Sequence, residues 1–148
     1  MGLMEIIEIS DNKKQFLQLL LLADEQEDMI DRYLEAGRMF VLFNNGPQCL
    51  AVITEVDEQT CELKNIATRP ESQGLGYASY LLEYIIKLYK NQYDNMLVGT
   101  GGSTVNFYQK LGFVFSHIIK NFYVDNYHLP IIEHGQEVRD MLYLAKKL

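Results

Sequence analysis

Apolar residues recur along this chain with two periods. From Gln73 to Lys90 they fall at Tyr77, Leu81, Ile85 and Leu88, with Ala78, Leu82 and Tyr89 alongside, and this helical spacing predicts the longest helix. The same spacing at Phe16, Leu19, Leu20 and Ala23 predicts a helix from about Asn12 to Ala23, with Ser10-Asp11 able to cap it. Met29, Ile30, Tyr33 and Leu34 predict another over Glu27 to Ala36, ended by Gly37. Extended runs read differently. Glu5 to Ile9 is a short strand, and RMFVLF (38–43), QCLAVITEV (48–56) and CELKNIAT (61–68) form an antiparallel meander turned by NNGP and DEQT. Met96 to Gly99 is a further strand, Gly101-Gly102 a loop, and Ser103 to Leu111 a short helix ending at Gly112. FVFS (113–116) and MLYLA (141–145) are closing strands. This order predicts an α/β or α+β fold on a mixed sheet. No repeat or linker divides the chain, so residues 1–148 are expected to form one domain.

Charge narrows the partners. Twenty acidic against 13 basic residues give a net charge of -7, which opposes attraction to nucleic acid or anionic lipid. The apolar stretch Leu19 to Ala23 falls far short of the ~20 residues a membrane helix needs. The opening MGLMEIIEIS has no basic region followed by an apolar core, and Ile6 stands where myristoylation wants Ser or Thr, so it reads as the start of the fold. With Val56 facing Cys61 across the DEQT turn, Cys49 lies opposite about Thr68. The sulfurs are then roughly 23 Å apart at ~3.3 Å per residue, beyond disulfide reach. Two reduced thiols and a cytoplasmic location are expected. His117, His128 and His134 match no compact metal motif, and no metal is expected.

The stretch RPESQGLGYA (69–78) places glycines on both sides of Leu75 just before the long helix. A strand, a glycine loop and a helix start present free backbone N–H groups at a positive helix end, where anions bind. Neither GxGxxG nor a P-loop fits, since Ser79 stands where the third glycine would be and no GK[ST] comes after it. Plain turn chemistry is the competing account of the glycines.

Two motifs together point further. NIATRPESQGLGYA (65–78) and FYQKLGF (107–113) resemble the cofactor motif and the C-terminal helix and strand of the GNAT superfamily of acyl-CoA dependent N-acyltransferases. The resemblance implies a mostly antiparallel central sheet flanked by about four helices, with strands splayed at the cofactor site. It implies acetyl-CoA as co-substrate, its pyrophosphate on the amides of Gly74, Leu75, Gly76, Tyr77, Ala78 and Ser79, with Gln73 also among the cofactor-binding residues. It also implies that the pantetheine arm pairs with the backbone of Ile66, Ala67 and Thr68, and that the strand at Met96 to Gly99 splays away to admit it.

The same resemblance assigns chemistry. Tyr108 matches the tyrosine that commonly protonates the leaving sulfur; a packed core tyrosine is the alternative. Strand alternation puts Glu62, Lys64, Ile66 and Thr68 on one face, and Glu62 matches the strand glutamate that serves as base in the histone-acetylating branch. An exposed carboxylate paired with Lys64 or a cross-strand neighbour is its alternative. The ribosomal-protein N-terminal acetylases carry their base where Met96 stands here. Gly101 occupies the place of a common CoA-contacting asparagine, and Asn106 is the nearby substitute. Ser103 or Thr104 is expected to cap its helix. In the family, residues 121–136 and the two early helices wall the acceptor pocket, so Asp125, Tyr127 and Glu133 are candidates to meet a cationic amine, with loop packing as the alternative. The expected function is acetyl transfer from acetyl-CoA to a primary amine of a small molecule or peptide, in a monomer or homodimer. A non-catalytic acyl-CoA-binding module and a protein-interaction domain with plain glycine turns are the rivals.

Overall fold

The computed structural model describes residues 4–148; Met1, Gly2 and Leu3 of the opening segment lie outside the described residues. Seven strands form one sheet in the order β1-β2-β3-β4-β5-β9-β6. They are β1 (Glu5–Ile9), β2 (Arg38–Phe43), β3 (Pro47–Asp57), β4 (Thr60–Thr68), β5 (Asn95–Thr100), β6 (Val114–Ile119) and β9 (Met141–Lys147). A separate hairpin, β7 (Ile131–Glu133) and β8 (Gln136–Val138), stands off the sheet. Only β4 and β5 run parallel; the other sheet neighbours are antiparallel, so the mixed, mostly antiparallel expectation holds.

Alternation in β2 and β3 feeds two cores. Phe40, Leu42, Cys49, Ala51 and Ile53 face α3 (Tyr77–Tyr89), which buries Leu81, Leu82, Ile85 and Tyr89. Met39, Val41, Leu50 and Val52 face α1 (Leu17–Ala23) and α2 (Glu27–Asp31), which bury Leu19, Leu20 and Ile30. Each fully buried Leu or Ile contributes about 1.5–3 kcal/mol, so both faces anchor the sheet.

Helix boundaries depart from the periodic reading. The first predicted helix is a 3-10 turn (Lys13–Phe16) followed by α1, and its N-cap is Asn12 at φ 49° with no side-chain cap, not Ser10-Asp11. The second stops at Asp31, and residues 32–36 form turns. There the buried Lys13 reaches across and donates from Nζ to the carbonyls of Leu34 (3.0 Å), Glu35 (3.1 Å) and Gly37 (2.6 Å). Gly37 ends the segment by close approach: a Cβ there would lie 2.6 Å from Val52 Cγ1 and 2.9 Å from the Tyr33 carbonyl. The long helix begins at Tyr77, because Gly74 and Gly76 have φ of 78° and 87°. Thr104 holds the N-cap position of α4 (Val105–Lys110), but its hydroxyl bonds Thr100 Oγ1 at 2.6 Å instead of capping. The segment read as a loop contains α5 (Phe122–Asn126).

A bulge in β4 overturns the expected face. Asn65 lies opposite Val52 and Leu63 opposite Ile53, leaving Lys64 as the extra residue. Lys64 and Asn65 therefore turn the same way: Lys64 Nζ lies 5.6 Å from the Tyr33 ring centre, and Asn65 Nδ2 donates to the Leu20 carbonyl and Tyr33 Oη, each at 3.1 Å. Beyond the bulge, Ile66 packs towards α3 and Thr68 donates to Cys49 Sγ at 3.3 Å. Glu62 and Lys64 consequently share a face with Tyr33, while Ile66 and Thr68 occupy the other. A second irregularity, between Glu55 and Asp57 in β3, skips Val56 and sets Glu55 opposite Cys61; the two shifts cancel, so Cys49 does pair with Thr68. Both cysteines are buried and unpaired.

Candidate active site

The bulge in β4 stands at the point where the sheet opens. β4 and β5 pair from Thr60 with Asn95 to Leu63 with Val98, and no pairing continues beyond. The strands part there, and the gap is a cavity of about 300 Å³ lined by Lys64 to Thr68, Gln73 and, on the opposite wall, Gly99 to Gly101, Thr104 and Tyr108. Backbone groups of β4 released from the ladder must find other partners.

Above this gap the glycine loop bends into the start of α3. Gln73 Nε2 donates to the Thr68 carbonyl at 3.2 Å and closes the loop against the strand. The amides of Gly74, Leu75, Gly76, Tyr77, Ala78 and Ser79 donate to no protein acceptor among the described residues. A Cβ added at Gly74 or Gly76 would meet nothing within 4 Å, so the space over the loop is open, and the positive φ at each favours glycine. The side chains of Tyr77 and Ala78 are engaged with the core, and Tyr77 Oη accepts from Asn44 Nδ2 at 2.9 Å. Aligned free N–H groups at a helix N-terminus suit a phosphate.

Tyr108 lines the same cavity and is 5% exposed. Burial pushes its hydroxyl above the ordinary phenol range, with the Thr104 hydroxyl pulling weakly the other way, so the proton is held well past neutrality. Asn106 is exposed on α4 and lines neither this cavity nor the one beside it. Met96 is fully buried in the core.

A second cavity of about 210 Å³ adjoins the first, and Ala23, Leu63, Lys64, Gly99 and Tyr123 line both. Glu62 opens into this second space. Its Oε2 accepts from Tyr143 Oη at 2.7 Å and from Lys64 Nζ at 3.2 Å. The expected Lys64 pairing is thus present, but within a cavity wall. Burial, then the hydrogen bond to Glu62, keeps Tyr143 protonated by raising its pKa.

The outer wall comes from residues 122–128, fastened to the end of α1 and to α2. Asp24 is the centre of this fastening: Tyr33 donates to Oδ2 at 2.9 Å and Tyr127 to Oδ1 at 2.6 Å. Burial first, and Asp24 after it, raise the pKa of both phenols, so both remain donors. Gln26 Nε2 donates to the Asn126 carbonyl at 3.0 Å, and the His128 amide donates to Gln26 Oε1 at 2.8 Å. Of the three candidates in the 121–136 segment, Tyr127 lines this second cavity. Glu133 lines the first and accepts from the Ser103 amide at 3.3 Å. Asp125 lines neither. Asp24, Tyr143 and Arg32 were not selected from the sequence, where no local pattern ties them to one another. Among the described residues no group of three or more His, Cys, Asp or Glu could hold a metal ion, and no helix is long and apolar enough to cross a membrane.

Comparison with known proteins places these features in context. The family model described as an acetyltransferase (GNAT) domain matches residues 35–115. The chain is 33% identical over 139 residues to the uncharacterized N-acetyltransferase YvbK of Bacillus subtilis (strain 168), covering 90% of each chain. Among solved structures, it is similar to a GNAT family acetyltransferase from Elizabethkingia anophelis with acetyl-CoA bound, at 37% identity and TM-score 0.93 over 98% of both chains. It is also similar to a Bacillus subtilis acetyltransferase in complex with CoA, at 32% identity and TM-score 0.87 over 99% of both chains.

Proposed function

The chain belongs to the GNAT acetyltransferase family, and we propose that residues 1–148 act as one N-acetyltransferase domain transferring an acetyl group from acetyl-CoA to a primary amine. The amine belongs to a small molecule or peptide and attacks directly, in a ternary complex. The single observation that carries this reading is the row of six amides, Gly74 to Ser79, without protein acceptors above the gap between β4 and β5. Acetyl-CoA supplies, when bound, a thioester carbonyl open to attack by nitrogen.

Each residue then has a task. The amides of Gly74 to Ser79 hold the pyrophosphate, helped by the α3 dipole, since an anion must be held by a chain whose net charge is -7. The backbones of Ile66, Ala67 and Thr68, beyond the bulge, pair with the pantetheine amides. Tyr108 keeps a proton on Oη and gives it to the departing sulfur. Glu62 takes the amine's proton on a carboxylate oxygen, directly or through one water, while Tyr143 and Lys64 fix its orientation. The two cavities share a wall of Ala23, Leu63, Lys64, Gly99 and Tyr123, which supports a meeting of amine and thioester at that boundary.

A non-catalytic acyl-CoA-binding module is the second reading, favoured by the apolar, buried Met96 where another branch of the family carries its base. Thiol release from acetyl-CoA over a panel of amines separates the two. Turnover by wild type that falls about a hundredfold in Tyr108→Phe fits the enzyme. Equal rates would remove Tyr108 from the mechanism, and tight CoA binding without turnover on any amine would favour the module.

A further inference from the structure

The second cavity contains a cation without a counter-ion. Of the chain's four arginines, Arg38, Arg69 and Arg139 are each paired with a carboxylate, those of Glu8, Glu71 and Glu137. Arg32 lines the cavity, yet has no carboxylate within ion-pair distance among the described residues. Among the described residues the guanidinium makes one hydrogen bond, from Nη1 to the neutral Asn126 Oδ1 at 3.0 Å, which fixes the side chain against the end of α5. A guanidinium offers five N–H groups in a planar fork suited to a carboxylate. The nearby acids are otherwise engaged: Asp24 takes the hydroxyls of Tyr33 and Tyr127, and Asp28 takes Gln26 and His128.

The rest of the cavity wants the opposite charge and a small body. Glu62 and Asp24 both line it and favour an ammonium group. Its volume of about 210 Å³ is below the ~300–1,000 Å³ of sites for drug-sized ligands. Tyr33, Phe122 and Tyr127 supply apolar and aromatic walls. A polyamine would set a second cation against Arg32 and Lys64, and a long peptide would exceed the space.

Resting on the acetyltransferase reading above, we propose that the acceptor is a small zwitterion of the amino-acid class, its carboxylate held by the Arg32 guanidinium and its amine presented to Glu62. Arg32 is on this account a specificity-determining residue. It sorts amines by the anionic group they carry and takes no part in proton transfer.

The test uses the full chain and matched substrates: phenylalanine, leucine and glycine, each beside its carboxamide and its decarboxylated amine. Because a carboxamide lowers the basicity of the neighbouring amine, the informative quantity is the acid-to-amide ratio of kcat/KM in wild type against Arg32→Gln. The expected result is a ratio that drops about tenfold to a hundredfold in the variant, the worth of a charge-assisted hydrogen bond. An unchanged ratio, or a wild type that uses the decarboxylated amines as well as the acids, overturns the proposal. Should none of these amines turn over, calorimetry of phenylalanine against the CoA-loaded protein decides: Arg32-dependent binding supports the proposal, and no binding overturns it. CoA affinity measured on the same samples separates the two levels. CoA binding without carboxylate preference sinks only this inference, whereas failure to bind CoA removes the acetyltransferase reading along with it.

Discussion

Tyr143 Oη donates to Glu62 Oε2 across 2.7 Å, although the two residues lie on strands separated by β5. The contact runs diagonally across β5, from Glu62 opposite Leu97 to Tyr143 opposite Gly99, and the missing side chain at Gly99 leaves room for the phenol ring. A Cβ there would lie 3.1 Å from Tyr143 Cζ and would collide with Met141 Sδ. His117 stacks on the Tyr143 ring at 4.7 Å between centres, with 2° between planes, and holds it in place.

Tyr143→Phe keeps the ring and its stacking but removes the donor to Glu62. We expect kcat to fall about tenfold, the worth of a hydrogen bond to a charged group, with the KM for acetyl-CoA little changed because Tyr143 lines neither cavity. Steady-state thiol release at saturating and limiting acetyl-CoA checks both parts.

Gly76→Glu should abolish CoA binding while leaving the fold intact. A side chain at φ 87° costs roughly 1–2 kcal/mol, and the new carboxylate stands in the open space over the free amides. Calorimetric titration with CoA, beside a thermal melt of the same protein, separates lost binding from lost folding.

Lys13→Met strips three buried or half-buried carbonyls of their common donor. The turn after α2 should loosen and the protein should lose roughly 2–4 kcal/mol. Denaturant unfolding gives the number. A variant as stable as wild type would mean that water replaces the ammonium.

Alkaline pH should destabilise the fold through Tyr89. Burial pushes its pKa up to about 12, with Arg38 partly opposing, against about 10 in an unfolded chain. The folded form holds the proton more tightly, so its contribution is complete below about pH 10 and is lost as pH rises towards 12, by up to ~1.4 kcal/mol per pH unit for this one group. Unfolding free energy measured from pH 9 to 11.5 in wild type and Tyr89→Phe should show the smaller decline in the variant.

Local order along the chain determined much of this protein. The helical period at Leu81, Leu82 and Ile85, the strand runs of the meander, and the glycines before Tyr77 are short-range features. They arise from backbone preference and from which face each residue presents to a core. The glycine loop before α3 and the helix that carries Tyr108 lie in such stretches, and their positions in the chain were legible. What decided the walls of the second cavity was long-range. The extra residue Lys64 in β4 depends on how Val52 and Ile53 meet their cross-strand partners, and it reverses the facing that simple alternation assigns. Asp24 with Tyr127, Glu62 with Tyr143, and Lys13 with the turn after α2 unite groups far apart in sequence. Polar side chains find partners by proximity in the folded chain, and no period in the sequence records that proximity; only the tertiary structure could bring Arg32 to the wall of the cavity that Glu62 faces.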